Sequence, residues 1–176
     1  METKIPKPCR KYIERNKRGF EFLSSWKSTM TEDRLPQRKT KYSGAYDIAA
    51  GDYYVVEPGE VRFIATGLKV CMQPDEVLLV TLRSGWANKT KCCMPNGYGL
   101  IDSDYYNNPE NEGHIFVPVF NMTDEPLIIT EGTRIAQGMF TKFLISDNDN
   151  PGGMRLGGLG STGYFGKHKD DEPEDQ

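Results

Sequence analysis

The segment from Asn96 to Tyr105 contains two glycines, a short apolar run, the carboxylate of Asp102 and a ring three residues beyond it. The glycines permit the tight bends of a hairpin, whose backbone N–H and C=O groups can face a flat polar ligand. Leu100 and Ile101 predict a strand, which would hold Asp102 on a rigid element. A carboxylate placed in this way could act as a general base towards water. Taken alone, the segment more simply predicts an ordinary hairpin with a turn-capping aspartate.

Short strands are predicted to position this segment. Apolar runs rich in Val, Ile, Tyr, Phe and Thr recur about every 8–12 residues and are separated by Pro- and Gly-containing turns, which predicts an all-β sandwich or barrel. One helix is predicted at Ser84–Lys91, where strand alternation is absent and Ser84 could cap the start. The predicted strands are Gly19–Leu23, Tyr53–Glu57, Val61–Ala65, Leu68–Met72, Val77–Leu82, His114–Phe120, Leu127–Thr130 and Ile135–Phe143.

The 176 residues fit one domain with a core of useful size. A hydrophobic content of 37% and a mean hydropathy of −0.61 indicate a soluble protein. No apolar run approaches the roughly 20 residues that cross a bilayer. The N-terminal residues also lack the apolar core of a secretory signal. We therefore expect a cytoplasmic protein with no membrane partner.

The four cysteines fit neither a disulfide framework nor a zinc site. Cys9 and Cys71 are isolated, and Cys92 and Cys93 are adjacent, which is not a spacing that metal ligands prefer. We therefore predict reduced thiols. The two histidines are too few for a histidine-based metal centre.

Positive charge is concentrated at the N-terminus. Residues 1–41 hold 12 of the 22 Lys and Arg residues against five acids, although the chain as a whole carries a net charge of −3. A basic arm can bind nucleic acid, but this one lacks a helical stripe and is poor in aromatic residues. A solvated extension, or a patch near a phosphorylated substrate, explains it better, so no nucleic-acid partner is expected.

Three regions follow from this composition. Residues 1–18 are predicted to be a flexible basic leader, 19–147 the β domain, and 148–176 a glycine-rich segment with an acidic tail. The glycine-rich segment has the composition of a disordered tail. It would also suit a lid whose backbone amides close over phosphate oxygens.

Five segments, in this order, resemble the motifs of the trimeric dUTP diphosphatase (dUTPase) family. The resemblance spans residues 42–163 and implies a jelly-roll-like β-barrel homotrimer with a flexible Gly-rich C-terminal arm and active sites at the subunit interfaces. It further implies hydrolysis of dUTP to dUMP and pyrophosphate, with Mg²⁺ bound by the triphosphate. The segments are Ala45–Ile48, Arg83–Gly85, Asn96–Tyr105, Gly132–Gln137 and Arg155–Gly163.

The resemblance implies that the third motif binds the nucleoside and carries the catalytic base. Asp102 would take a proton from the water that attacks the α-phosphorus. Tyr105 would lie beneath the deoxyribose and leave no room for a 2′-hydroxyl. Tyr106 would point to the opposite face by strand alternation. The uracil edge would be read by a side-chain amide and by backbone groups, from Asn96, Gly99, Leu100 and Ile101.

The resemblance assigns the phosphates to the other motifs. Asp47 would hold a water on Mg²⁺ rather than the ion itself. Arg134 would face away from Gln137 on a strand, so a structural or interface ion pair is expected there. The expected phosphate contacts are Arg83, Ser84, Gly85 and Gln137. The lid contacts would be Arg155, Leu159, Gly160, Ser161 and Thr162.

The sequence departs from the family pattern in three places. The glycine of the first motif is Gly44, one position early. The third motif carries a polar insert at about 107–113, which is predicted to be a surface loop. The fifth motif has Leu159 where the family has a phenylalanine that stacks on uracil, so we expect a substitute ring, first Phe116 and then Tyr164 or Phe165.

Two alternatives share the fold. A dCTP deaminase needs a glutamate near the pyrimidine, and none is suitably placed on these motifs. A nucleotide-binding regulatory protein, whose two tails bind a protein partner, would have no need of Asp102.

Overall fold

The computed structural model describes residues 18–150. Residues 1–17 and 151–176 lie outside the described part, and so do Arg155, Leu159, Gly160, Ser161 and Thr162 of the fifth motif. The described part contains one α-helix, α1 (Ser84–Thr90), two 3-10 helices and eleven strands. The strands are β1 (Gly19–Phe22), β2 (Tyr46–Ala49), β3 (Tyr54–Val56), β4 (Val61–Ala65), β5 (Leu68–Cys71), β6 (Glu76–Leu82), β7 (Cys92–Cys93), β8 (Gly99–Asp102), β9 (Phe116–Asn121), β10 (Leu127–Ile129) and β11 (Arg134–Lys142).

The strands form four antiparallel sheets, which confirms the all-β prediction. Their strand orders are β1-β5, β10-β3, β2-β11-β6-β8 and β4-β9-β7. The β11–β6 ladder is the longest, running from Ala136 opposite Leu82 to Lys142 opposite Glu76. The description of these sheets as one jelly-roll-like barrel stays a prediction.

The eight strands predicted from the apolar runs are present with ends shifted by at most a few residues, and so is β8, which Leu100 and Ile101 predicted. Two further strands, β2 and β7, were missed. Strand β7 has only two residues, and β2 has a single fully buried side chain, Ile48. Neither strand is long enough to show a period of two in the sequence.

Helix α1 confirms the one predicted helix, but not its cap. The cap residue is Arg83, no side chain caps the helix start, and Ser84 is the first helical residue. The helix ends where Lys91 adopts a left-handed conformation and donates its backbone N–H to the oxygen of Ala87. Among residues 18–150, no helix has the length and apolar character needed to span a membrane.

Alternate residues of the strands build the apolar core. Strand β6 directs Leu78, Val80 and Leu82 inward, and β9 directs Val117 and Val119 towards the same space. Because strand side chains alternate between faces, Val77, Leu79 and Thr81 of β6 lie on the other, outer face of its sheet. That outer face carries most of the candidate site.

Arg18, the first described residue, is anchored to the start of β6. Its guanidinium contacts both carboxylate oxygens of Glu76, with Nε 2.8 Å from Oε2. Glu76 is buried, and the hydrogen bonds from Arg18 lower the pKa of its carboxyl. Strand β1, which follows Arg18, then pairs with β5.

Trp26 packs the segment after β1 against two glycines. A Cβ added at Gly51 or Gly67 would lie 2.5 Å from the indole ring, so neither position has room for a side chain. The ring of His114 lies 5.9 Å from that of Trp26 and 4.1 Å from that of Phe116. The Nε2 atom of His114 accepts a 3.0 Å hydrogen bond from the Gly67 N–H, so the imidazole is neutral.

The prediction of four reduced thiols is wrong for Cys71. Cys71 is bonded in a disulfide, whereas Cys92 and Cys93 are free thiols. Cys9 lies outside the described residues. An isolated cysteine carries no sequence signal for a disulfide, because the bond depends on a short Cα–Cα distance that only the fold provides.

The buried imidazole predicts a loss of stability in mild acid. Burial lowers the pKa of His114 from 6.5 to about 4. As the pH falls from 6.5 towards 4, the imidazole therefore binds a proton in the unfolded chain but not in the folded chain. Between pH 7 and pH 5 this should lower the free energy of unfolding by about 2 kcal/mol. Urea unfolding at fixed protein concentration measures it.

The variant His114→Gln should flatten this dependence, because a glutamine can accept the Gly67 N–H without titrating. His168→Gln controls for the other histidine and should leave the dependence unchanged. The same pH 7 to pH 5 loss in His114→Gln would assign the effect to other groups.

Candidate functional site

Asp47 forms ion pairs with two arginines. Its Oδ1 lies 2.9 Å from Nε of Arg83, and its Oδ2 lies 2.8 Å from Nη1 of Arg134. Arg83 also donates from Nη1 to the backbone oxygen of Arg134, at 3.1 Å. The ion pair predicted for Arg134 is therefore confirmed, with Asp47 as its partner. Together these contacts join β2, β11 and the start of α1.

Arg134 and Gln137 lie on the same face of β11, contrary to prediction. The register of β11 against β2 shifts between Arg134 and Ala136, and Ile135 and Ala136 are both buried. This irregularity places an extra residue between the two polar side chains and cancels the alternation. Gln137 then lies opposite Asp47 in the ladder, and directly paired residues share a face.

Ser84 and Gly85 begin α1 and are both exposed. A Cβ added at Gly85 would meet nothing within 4 Å, so packing within the chain does not require a glycine there. The first N–H groups of a helix also have no partner inside the helix. This surface therefore offers backbone donors beside the Arg83 guanidinium.

A cleft of about 630 Å³ lies on the outer face of the β2-β11-β6-β8 sheet. Tyr98 lines it with 58% of the residue exposed, and its ring could cover a planar ligand. Sequence reasoning missed this ring, although an aromatic residue between two turn glycines was a usable signal. The lining residues are Ala45, Leu79, Val80, Thr81, Gly97, Tyr98, Gln137 and Met139.

Phe116 was the first candidate for the ring that would replace the family's phenylalanine. It packs against the ring of His114, which also contacts Trp26. Its ring centroid is 4.1 Å from that of His114, and the residue is half-buried. Its ring is thus occupied in packing. Tyr164 and Phe165 lie outside the described residues.

The turn at Asn96 does not close a hairpin. Gly97 has a left-handed conformation, with φ of 73°, and its N–H donates to the oxygen of Met94. However, β7 before the turn pairs with β9, and β8 after it pairs with β6. The turn therefore connects two sheets. Asn96 itself is exposed.

Strand β8 carries the predicted base at its end. Gly99 lies opposite Val80, and Asp102 lies opposite Val77. Ile101 packs against the core, whereas Leu100 is exposed on the outer face. The Asp102 side chain is half-buried and does not cap the 3-10 helix that follows, so the alternative of a turn-capping aspartate is not what the structure shows.

Tyr105 lies in a 3-10 helix, Ser103–Tyr105, rather than in a strand. Only 4% of the residue is exposed, and its hydroxyl donates a 2.8 Å hydrogen bond to the backbone oxygen of His114. Strand alternation therefore does not apply to Tyr106. The Tyr106 hydroxyl donates to Glu21, and the Lys69 ammonium lies 5.2 Å from the centre of its ring.

The structure brings together Asp47, Arg83, Ser84, Gly85 and Gln137, which we call the arginine group. It does not bring Asp102 to them. Gln137 lies opposite Thr81 of β6, while Asp102 lies opposite Val77 on the other side of β6. The Cα atoms of Asp102 and Gln137 are offset by four residues along the strand direction and by two strand spacings across the sheet. Together these offsets place them about 16 Å apart. No side chain spans that distance, so one chain holds two partial sites.

Comparison with known proteins shows the family of this chain. The dUTPase family model matches residues 31–152. The chain is 44% identical over 148 residues to the deoxyuridine 5′-triphosphate nucleotidohydrolase of Lactococcus lactis, a match that covers 83% of this chain and 97% of the relative. The chain belongs to the dUTPase family.

Solved structures share the fold of this dUTPase. The crystal structure of the dUTPase from Streptococcus mutans is 38% identical, with a TM-score of 0.70, over 74% of this chain and 99% of that one. The dUTPase from phage phi11 of S. aureus is 22% identical, with a TM-score of 0.61, over 79% of this chain and 98% of that one. The second likeness concerns the fold alone. The family match ends before Arg155, so the fifth motif lies outside it.

Proposed function

We infer that this chain is a dUTP diphosphatase, which hydrolyses dUTP to dUMP and pyrophosphate. The observation that carries this conclusion is its membership of the dUTPase family, with a match to almost the whole length of a deoxyuridine 5′-triphosphate nucleotidohydrolase. The residues that follow are proposed to perform the reaction, and the geometry described above supports each assignment.

The arginine group is proposed to bind the triphosphate. Arg83 has five N–H donors, and its contacts with Asp47 and Arg134 use two of them while fixing the plane of the guanidinium. Ser84 and Gly85 add exposed backbone donors at the start of α1. Gln137 adds an amide on the same face. Charged and neutral donors so arranged suit phosphate oxygens.

The turn and β8 are proposed to bind the nucleoside. Asn96 and the backbone of Gly99, Leu100 and Ile101 would read the uracil edge, because a carboxamide supplies one donor and one acceptor. Tyr105 would form a wall beside the deoxyribose. Its burial supports this role, since a ring that cannot move excludes a 2′-hydroxyl better than a mobile one.

Asp102 is proposed as the general base that takes a proton from the attacking water. Its position at the end of a paired strand fixes the backbone from which the carboxylate projects. Water attacks an anionic phosphorus slowly unless the water is oriented and the phosphate charge is neutralised. Asp102 would orient the water, and Arg83 would neutralise part of the charge.

A metal ion is expected to arrive with the substrate. Members of the dUTPase family are metal-dependent, and we propose Mg²⁺, which prefers phosphate oxygens and keeps several waters. Among residues 18–150, no group of three or more His, Cys, Asp or Glu side chains could hold a metal ion. Both Asp47 oxygens have arginine partners, yet each retains a lone pair for a metal-bound water. The bound ion would supply charge neutralisation at the phosphates.

A homotrimer is proposed to complete the site. The 16 Å separation estimated above supports a site in which Asp102 of one chain meets the arginine group of another. The outer face of β4 also leaves Val61 and Phe63 about half exposed, at 45% and 50%, opposite Phe120 and Pro118 of β9. An apolar sheet face of this kind is typical of a subunit interface.

Asp102→Asn should abolish turnover while leaving nucleotide binding intact. The amide keeps the shape of the carboxylate but cannot accept the proton, so kcat for dUTP should fall by about 10²–10⁴-fold. Pyrophosphate release with Mg²⁺ from dUTP, dCTP, dTTP and UTP measures rate and selectivity together. If wild type binds dUTP without turning it over, the pocket is a sensor and the regulatory alternative holds.

Two inactive variants should restore activity when mixed. Asp102→Asn and Arg83→Ala each damage one partial site, so a hybrid trimer can combine the intact arginine group of one chain with the intact Asp102 of another. Refolding an equimolar mixture should therefore recover a substantial fraction of wild-type activity. Each variant refolded alone is the control, and a mixture as inactive as its parts would place both groups of one site in one chain.

Gly85→Ala should stabilise the protein and impair catalysis. A helical glycine costs about 0.5–1 kcal/mol relative to alanine, and a methyl group there meets no atom of the chain. The same methyl group would stand where phosphate approaches the loop, so kcat/KM should fall by about tenfold or more. Asn88→Ala, on an exposed position of the same helix, should stabilise without that loss. An unimpaired Gly85→Ala would remove this loop from the phosphate site.

A further inference from the structure

The polar insert after the third motif is not a loose surface loop. The side chain of Asn108 is buried, with 2% of the residue exposed. Its Oδ1 accepts from the N–H groups of Glu110 and Asn111, at 3.1 and 3.2 Å. Its Nδ2 donates to the backbone oxygen of Tyr105 at 3.0 Å and to Oδ1 of Asn111 at 2.7 Å. All four hydrogen-bonding positions of this amide are therefore used.

Asn111 extends this network to the Tyr105 hydroxyl. Its Oδ1 accepts from Asn108 and from the N–H of Gly113, at 3.0 Å. Its Nδ2 donates to the Tyr105 hydroxyl at 2.9 Å, and that hydroxyl donates onward to the His114 backbone. The phenol thus has one partner on each side, and a chain of hydrogen bonds strengthens its members.

The backbone conformation of the insert allows these hydrogen bonds to form. Asn107, Glu112 and Gly113 have positive φ values of 57°, 59° and 83°, which cost energy for residues other than glycine. A Cβ at Gly113 would lie 2.5 Å from the Tyr105 backbone oxygen. The insert therefore packs directly on the residue it surrounds.

The insert is also tied to the rest of the protein. Glu112 accepts hydrogen bonds from the backbone N–H and hydroxyl of Ser24, and from the Lys69 ammonium at 3.1 Å. Lys69, which is buried, also donates to Asn107 at 2.7 Å. These bonds lower the pKa of Glu112 from 4.5 to about 2, and they fix the insert at its far end.

We propose that Asn111, held in place by Asn108, is a positioning residue that fixes the Tyr105 ring and thereby sets the discrimination between deoxyribose and ribose nucleotides. The inference rests on the function proposed above. The Tyr105 ring excludes the extra oxygen atom of a ribose only if the ring cannot move away by a fraction of an ångström. A phenol whose hydroxyl is hydrogen-bonded on both sides cannot move in this way. Asn111 touches neither substrate nor water in this role and acts through Tyr105.

The test compares two isosteric substitutions. Asn111→Asp keeps the acceptor for Asn108 and Gly113 but loses the donor to the Tyr105 hydroxyl. Asn121→Asp is the matched control, because Asn121 is a buried asparagine whose Nδ2 bonds the Val56 and Glu125 backbone in another turn. The measurement is kcat/KM for dUTP and for UTP, with the melting temperature of each variant.

The ratio of the dUTP value to the UTP value should fall about five- to tenfold in Asn111→Asp, the worth of one hydrogen bond. The fall should come mainly from a gain in UTP turnover. Asn121→Asp should lower the melting temperature without changing the ratio. An unchanged ratio in folded Asn111→Asp would overturn the proposal, and so would an equal fall in the control.

Tyr105→Phe approaches the same bond from its other end. It should also lower the ratio, and Asn111→Asp should have no further effect on the ratio in the Tyr105→Phe background, because the shared bond is already gone. Additive effects would overturn the proposal. If Asn111→Asp does not fold, an unchanged ratio of the dUTP value to the UTP value in Tyr105→Phe would overturn the proposal. Absence of dUTP turnover by wild type would instead reject the proposed function and this inference with it.

Discussion

Strand β6 is hydrogen-bonded to β11 on one side and to β8 on the other, and these two ladders fix the separation of Gln137 from Asp102 in the candidate site. The arginine group lies at the Leu82 end of β6, where Arg83 follows the strand and Gln137 of β11 lies opposite Thr81. Asp102 is attached to the β8 side, opposite Val77. A strand is nearly inextensible, so the two groups cannot approach each other without breaking a ladder. The separation of Asp102 from the arginine group within one chain is thus a property of its sheet.

The irregularity in β11 has a second effect on the same sheet. Without it, Arg134 would point away from Asp47, and the carboxylate would hold only Arg83. With it, one carboxylate holds two guanidinium groups on a surface that also presents Gln137. The result is a local excess of positive charge that is oriented in advance, which is the arrangement that charge stabilisation of a phosphate requires.

The sequence was informative where a pattern is local. Strand periods, the single helix and the strand that carries Asp102 could all be predicted from neighbouring residues. The ion pair at Arg134 was predicted on a wrong premise, because the irregularity in β11 puts Arg134 on the same face as Gln137. Features that depend on distant contacts could not be predicted. The Asn96 turn was predicted to be a hairpin because the sequence does not show that β7 and β8 pair with different strands. Tyr105 was predicted to be a strand residue because its 3-10 helix is stabilised by a hydrogen bond from Asn108, which follows the helix in the sequence.

The buried polar groups near Tyr105 tie together segments that are distant in the sequence. His114 receives the Gly67 N–H on its ring and the Tyr105 hydroxyl on its backbone oxygen. Trp26, which holds that ring, comes from the segment after β1, where Ser24 also anchors the insert through Glu112. A buried group left without its partner costs about 1–3 kcal/mol, so the loss of any one of these hydrogen bonds is destabilising. The segment that follows β1 therefore supports the position of Tyr105, although it contributes none of the candidate site residues.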